Sequence, residues 1–218
     1  MNRPLFSGHE SFQCKTHWLK RGYDFVSDQN NKFTDDDAVV KLGVGKNMVA
    51  SIKFWMRAFG MLSGESSNMH LTDIADYLFK DDVGVDPYLE DLGTLWLLHF
   101  MLIHEDYASI YKLTFVDYHK QYNVIEKQKL QNFVKFVLMN NHLQNLYNEN
   151  TVKRDIGVLL HNYCGSNSSN IEDKNTLLLP LNLIGLKEVE EVSEKNRVVF
   201  AFNNAISIKV LPQSPIFV

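Results

Sequence analysis

Cysteine is nearly absent from this 218-residue chain: Cys14 and Cys164 are the only two, far apart in sequence. A disulfide framework is therefore not expected, and a reducing cytoplasm is the compartment that fits. Long apolar runs are missing as well. The longest, Leu95-Trp96-Leu97-Leu98-His99-Phe100-Met101-Leu102-Ile103, is interrupted by a histidine and falls short of the ~20 residues that a spanning helix needs. It reads as a buried helix, with no membrane partner. Met1-Asn2-Arg3-Pro4-Leu5-Phe6-Ser7 holds no apolar core of a secretory leader, so none is expected.

The usual enzymatic signatures are missing too. Gly43-Val44-Gly45-Lys46-Asn47 lacks the upstream glycine and the following Ser/Thr of a phosphate-cradling loop. No Gly-x-Ser-x-Gly elbow occurs, and Cys164 has no evident base beside it. His9, Glu10, Cys14 and His17 are all metal-capable types, but their spacing matches no zinc motif, and no helical His-Glu-x-x-His is found. They read as a structured N-terminal segment with a polar network. The expectation is a non-enzyme with no metal and no cofactor. A metal-dependent nuclease using His9, Glu10 and His17 is a remote alternative.

Net positive charge is also lacking, since the chain carries a formal −4. The distribution matters more than the sum. Residues 1–60 carry +3, residues 61–118 carry −9 and residues 119–218 carry +2. An acidic middle thus separates two mildly basic ends.

What is present is an ordinary globular composition, 45% hydrophobic and 22% charged, enough for one large domain or two smaller ones. Residues 28–32 and 164–170 read as loops. Thr34 is expected to cap a helix over about 36–42, with Asp35, Asp36 and Asp37 in its first turn and Gly43 ending it. A second helix is predicted over 46–59, its buried stripe formed by Val49, Ile52, Met56 and Phe59. That leaves Lys46, Asn47, Ala50, Lys53, Phe54 and Arg57 facing outward. Two short strands around the polar stretch 63–68 follow, then a helix over 74–79.

Helix, glycine turn, second helix and small hairpin is the layout of a winged helix-turn-helix, whose second helix can enter the major groove. Three cations on such a helix are also compatible with an ordinary solvated face, and a winged helix can instead hold a protein partner. The acidic segment 86–91 turns into an apolar helix over 93–104, with His99 as a core histidine. Helices over 125–138 (Leu130, Phe133, Val134 and Val137 inward) and 152–163 come next. Thr151 is the expected cap of the latter, which turns Ile156, Leu159, Leu160 and Tyr163 inward and Lys153, Arg154 and His161 outward. Strands near 181–186 and 198–202, around a turn over 188–194, make a second winged helix conceivable beside a generic helical packing domain. The fold class is therefore mainly α with small β-hairpins, divided as 1–118 and 119–218.

Several strings together, Phe6-Ser7-Gly8-His9-Glu10-Ser11-Phe12, Trp18-Leu19-Lys20-Arg21-Gly22-Tyr23-Asp24, Leu42-Gly43-Val44-Gly45-Lys46-Asn47-Met48-Val49, Ile52-Lys53-Phe54-Trp55, Asp86-Pro87-Tyr88-Leu89-Glu90-Asp91 and Thr94-Leu95-Trp96-Leu97-Leu98-His99, resemble the prokaryotic domain-of-unknown-function family numbered 4007. The likeness continues weakly through residues 151–156 and 179–181. It implies a protein encoded near DNA-modification or phage-defence genes, beside sulfur-transfer enzymes of the kind used in DNA phosphorothioation. It brings no catalytic residues. It also implies relatives longer than this chain, which stops at an apolar Ser214-Pro215-Ile216-Phe217-Val218.

The leading expectation is an accessory protein that binds double-stranded DNA in such a system, beside a sulfur-transfer or nuclease enzyme. Lys46, Asn47, Lys53 and Arg57 would meet DNA, with Lys15, Lys20 and Arg21 as backbone contacts. The alternative is an adaptor whose winged helices dock a partner enzyme, with the acidic middle as its surface. Phe54 decides between them: open in an apolar patch it favours the adaptor, while cationic surroundings favour DNA.

Overall fold

The computed structural model describes residues 4–28, 31–65, 68–164, 175–188 and 198–203. The expected loops at 28–32, 63–68 and 164–170, the turn over 188–194 and the C-terminal 214–218 lie partly or wholly outside these residues.

Three helices build the first part. Helix α1 (Trp18–Ser27) buries Trp18, Leu19, Gly22, Tyr23 and Phe25 and packs on α3. Helix α2 spans only Ala38–Leu42. The three aspartates expected in its first turn precede it, because Asp35 turns back and its carboxylate accepts from the Lys32 N–H at 2.8 Å. Thr34 is therefore not the cap. Gly43 closes α2 in the left-handed region, φ 59°, its N–H reaching the last carbonyls, a conformation that costs a residue with a Cβ about 1 kcal/mol or more. Helix α3 (Lys46–Ala58) follows after three residues, with Gly45 at its N-cap. A small apolar cluster of Phe25, Ala38, Leu42 and Val49 fixes α2 between α1 and α3.

Strands β1 (Leu62–Ser63) and β2 (His70–Leu71) pair antiparallel as expected, and α4 (Asp73–Phe79) begins after Thr72. Asp91 caps α5 (Leu92–His104), accepting from the Gly93 and Thr94 N–H groups. Helix α6 (Ser109–Lys112) runs into a π-helical turn at Leu113–Tyr118. Strand β3 (Val124–Ile125) precedes α7 (Lys127–Asn140). Ile125 is therefore strand, not helix start, and Leu130, Val134 and Leu138 form the fully buried face of α7.

Helix α8 (Glu149–Cys164) starts earlier than expected. The Asn148 carboxamide accepts from the Thr151 N–H, so Asn148 serves where Thr151 was expected. Its inward and outward faces are as the periodicity predicts. Strands β4 (Ile184–Glu188) and β5 (Val198–Phe202) complete an antiparallel sheet of order β3-β5-β4, pairing Ile125 with Phe200 and Leu186 with Phe200 from either side.

The architecture is thus mainly helical with two small sheets. The largest buried cluster runs from Cys14 to Phe202 and includes Trp55, Leu98, Tyr111, Tyr118 and Tyr163. Tyr118, where the division at 118 falls, is fully buried, and its hydroxyl donates to the Val124 carbonyl. Among the described residues, no helix is long and apolar enough to cross a membrane.

Candidate nucleic-acid interface

Helix α3 differs in character from face to face. The face that carries Ser51, Phe54 and Trp55 is covered, because residues 5–13 strap across it. The Ser51 hydroxyl donates to the His9 carbonyl at 3.1 Å, and the Trp55 indole N–H donates to the Phe12 carbonyl at 3.1 Å. Gly8, at φ 102°, lies on the Phe54 ring, where any Cβ would sit 2.7 Å from a ring carbon. Phe54 also meets His9 edge-on and packs against Tyr107. It is 5% exposed. The expected outward position of Phe54 is thereby corrected: a helical stripe allows one buried face, and the strap creates a second.

The face that carries Lys46, Asn47, Ala50 and Lys53 is the open part. Lys46, Asn47 and Ala50 are exposed and Lys53 half-buried. With Phe33, Asp35, Asp36 and Val39, Lys46 and Lys53 border a cavity of about 440 Å³ beside α2. The surround is mixed in charge, not purely cationic. Arg57 is half-buried, and its guanidinium stacks 4.8 Å from the Tyr107 ring centroid, so part of its interaction capacity is already used. Arg21 is exposed and reaches the Gly43 turn, 3.5 Å from where a Cβ there would stand. Among the described residues, none of Lys46, Lys53, Arg57 and Arg21 forms an ion pair. Lys20 is different: it bonds Asp24 and Asp81. Burial lowers its pKa, but the Asp24 hydrogen bond and both carboxylate charges outweigh that and raise it. Lys15 pairs its backbone with Thr176, in the short segment 175–177. The structure therefore brings Lys46, Asn47 and Lys53 together, places Arg21 at the turn before them, and leaves Lys15 and Lys20 in other company.

The polar network expected around His9 is present and reaches further than the sequence suggests. The His9 Nδ1 accepts from the Ser11 N–H, which leaves Nε2 as the protonated nitrogen donating to Asp155 at 2.9 Å. The Ser7 N–H donates to the same carboxylate at 3.0 Å. Both side chains of the pair are 3% exposed. The strap is pinned again where the Cys14 N–H donates to the Asn162 carboxamide, whose amide donates to the Tyr111 hydroxyl. Asp155 and Asn162 were missed. Their signal was available, because they fall on the buried face of α8 with Leu159 between them, and a polar residue there demands a partner.

Ser7, Gly8, Glu10 and Ser11 all have positive φ, a concentration of backbone strain held by this network. Burial raises the Cys14 thiol well above its ordinary pKa and Cys164 to about 11, so both stay protonated near neutrality. Among the described residues, no three His, Cys, Asp or Glu side chains converge as a metal-ligand group.

The family model described as "Protein of unknown function (DUF4007)" matches residues 6–212. The chain belongs to this family. Two solved structures are similar to it. One, described as an SspB crystal structure, has 26% identity and a TM-score of 0.74. The other, described as a magnesium-ion-bound SspB crystal structure, has 25% identity and a TM-score of 0.73. Each comparison covers 90% of this chain and 59% of the solved one, so the DUF4007 chain spans about three-fifths of their length. No curated protein matches it.

Proposed function

We propose that this DUF4007 chain is a cytoplasmic, non-enzymatic accessory protein that binds double-stranded DNA within a prokaryotic DNA-modification or phage-defence system, the modification being of phosphorothioation type. In this reading α2, the Gly43 turn, α3 and the β1–β2 hairpin form a winged helix-turn-helix, and α7, α8 and the β4–β5 pair a second. A sulfur-transfer or nuclease enzyme of the same system is the protein partner.

One observation carries the reading: the second helix of that unit leaves one face open, with Lys46, Asn47 and Lys53 on it and no ion pair on either lysine among the described residues. The N-terminal N–H groups of a helix attract phosphate, and the N-cap Gly45 has no side chain to occupy them. An open Phe54 would have favoured the adaptor alternative, and that ring is buried, while the surround of Lys46 and Lys53 is mixed in charge.

Duplex titrations at two or more salt concentrations test it. Each neutralised phosphate contributes about 0.9 to the salt slope, so Lys46→Ala with Lys53→Ala is expected to flatten it by roughly two units. Arg57→Ala is expected to matter less, given its stacking on Tyr107. Asn47→Ala should erode sequence discrimination more than affinity, because a carboxamide can pair bidentately with adenine. A folded Lys46→Ala/Lys53→Ala protein with wild-type affinity and slope would remove α3 as the DNA-reading element.

A further inference from the structure

The segment after α4 presents a second surface, of opposite charge. The chain folds back on the end of α4, where the Val85 N–H donates to the Tyr77 carbonyl and the Gly84 N–H to the Lys80 carbonyl. The buried Asp86 carboxylate then accepts from the Glu90 and Asp91 N–H groups, at 2.9 and 3.0 Å. This hydrogen-bonded turn leaves apolar side chains open: Tyr77 is 47% exposed, Val83 69%, Val85 55% and Tyr88 70%. Exposed acids stand among them, at Asp73, Asp76, Asp81, Asp82, Glu90 and Asp91. The only cation within residues 73–91 is Lys80, and Lys20 reaches Asp81 from α1.

Exposed apolar side chains on a segment so rich in exposed acids suit a ligand that is both apolar and basic. DNA and anionic lipid are repelled by the same charges. We infer that Tyr77, Val83, Val85 and Tyr88 form a docking surface for a lysine- or arginine-rich amphipathic segment of a partner protein. The surface is independent of α3 and stands whether or not α3 reads DNA. Together the two faces would let one molecule hold a polyanion and a basic partner without competition.

The probe is a short fluorescein-labelled peptide of Lys, Leu and Trp, with a Lys/Ser peptide of equal charge as control. Fluorescence anisotropy on the full chain should show saturable binding of the first peptide, weakened by salt. Val83→Ser with Tyr88→Ser should weaken it about tenfold, as expected for truncated anchors at the centre of an interface. Asp82→Asn with Glu90→Gln should reduce its salt dependence. These positions are exposed, so circular dichroism should show all variants folded. Lys46→Ala with Lys53→Ala should leave peptide binding unchanged, which separates this surface from the proposed DNA face. Equal binding by wild type and the Val83/Tyr88 variant would overturn the inference. So would a Lys/Ser peptide binding as tightly, or a wild-type dimer that the same variant dissociates, since the face would then serve a second copy.

Discussion

Replacing His9 by alanine is expected to destabilise the protein by about 3 to 5 kcal/mol, because it strands a buried carboxylate. Asp155 accepts from two described partners, the His9 imidazole and the Ser7 N–H, and its side chain is 3% exposed. Removing the imidazole leaves the buried carboxylate short of a hydrogen bond, which costs more than that bond itself contributed, and more for a charged acceptor than for a neutral one. The imidazole also stacks on Trp55 and meets Phe54, so its loss opens space against α3. In a chain of this length, the loss corresponds to a fall in Tm of roughly 10 °C. Asp155→Asn combined with His9→Ala should cost clearly less than the sum of the single changes, since the double variant buries no charge. Unfolding of His9→Ala within 1 kcal/mol of wild type would mean that the strap is held by its apolar contacts alone.

The second large effect is a loss of stability in acid, traced to His99. This imidazole is walled by Trp96, Phe115 and Tyr163. Its Nδ1 and the Tyr163 hydroxyl share a hydrogen bond of 2.7 Å. Burial pulls its pKa down from 6.5 to about 4. Burial also raises the Tyr163 phenol, so the hydroxyl keeps its proton to donate. Above pH 6.5 neither the folded nor the unfolded state binds a proton at this position. As pH falls from 6.5 towards 4, the unfolded chain takes one up and the folded protein does not, so stability declines by about 3 kcal/mol. Below about 4 both states are protonated and the decline ends. His99→Gln, which keeps an acceptor for Tyr163 but does not titrate, should flatten the unfolding free energy against pH across that window. Parallel pH profiles for wild type and His99→Gln would assign the decline to other groups.

Local pattern was enough for most of the helices and not for what joins them. The stripe Val49, Ile52, Met56 and Phe59 is buried as its spacing implies, and Gly43 adopts the left-handed turn its position requires. The core placement of His99 was equally readable, because a histidine deep in an apolar run has few other places to go. Phe54 was misplaced for a physical reason. Helical periodicity describes a cylinder with one covered face, and residues 5–13 cover another from far away in sequence. The partner of His9 lies 146 positions further on, and no window of the sequence holds both. Strand β3 escaped for a similar reason, since two residues acquire strand character only through pairing with β5. The acidic middle was visible as composition. Which apolar side chains stand open within it depended on the backbone turn after α4.

The strap also sets an order of events during synthesis. Residues 5–13 leave the ribosome well before Asp155 and Asn162, which fasten them and the adjoining Cys14 from the last α-helix of the described residues. At roughly 5 to 20 residues per second, about seven to thirty seconds separate the two emergences. Throughout that interval α3 can form and rest on α1, but the flank that carries Phe54 and Trp55 has no fixed cover. Closing a loop of this length adds only logarithmically to the entropic cost, so the delay threatens yield more than final stability. The nascent chain therefore displays, for many seconds, an aromatic surface of the kind that chaperones hold, and the arrival of Asp155 ends that exposure.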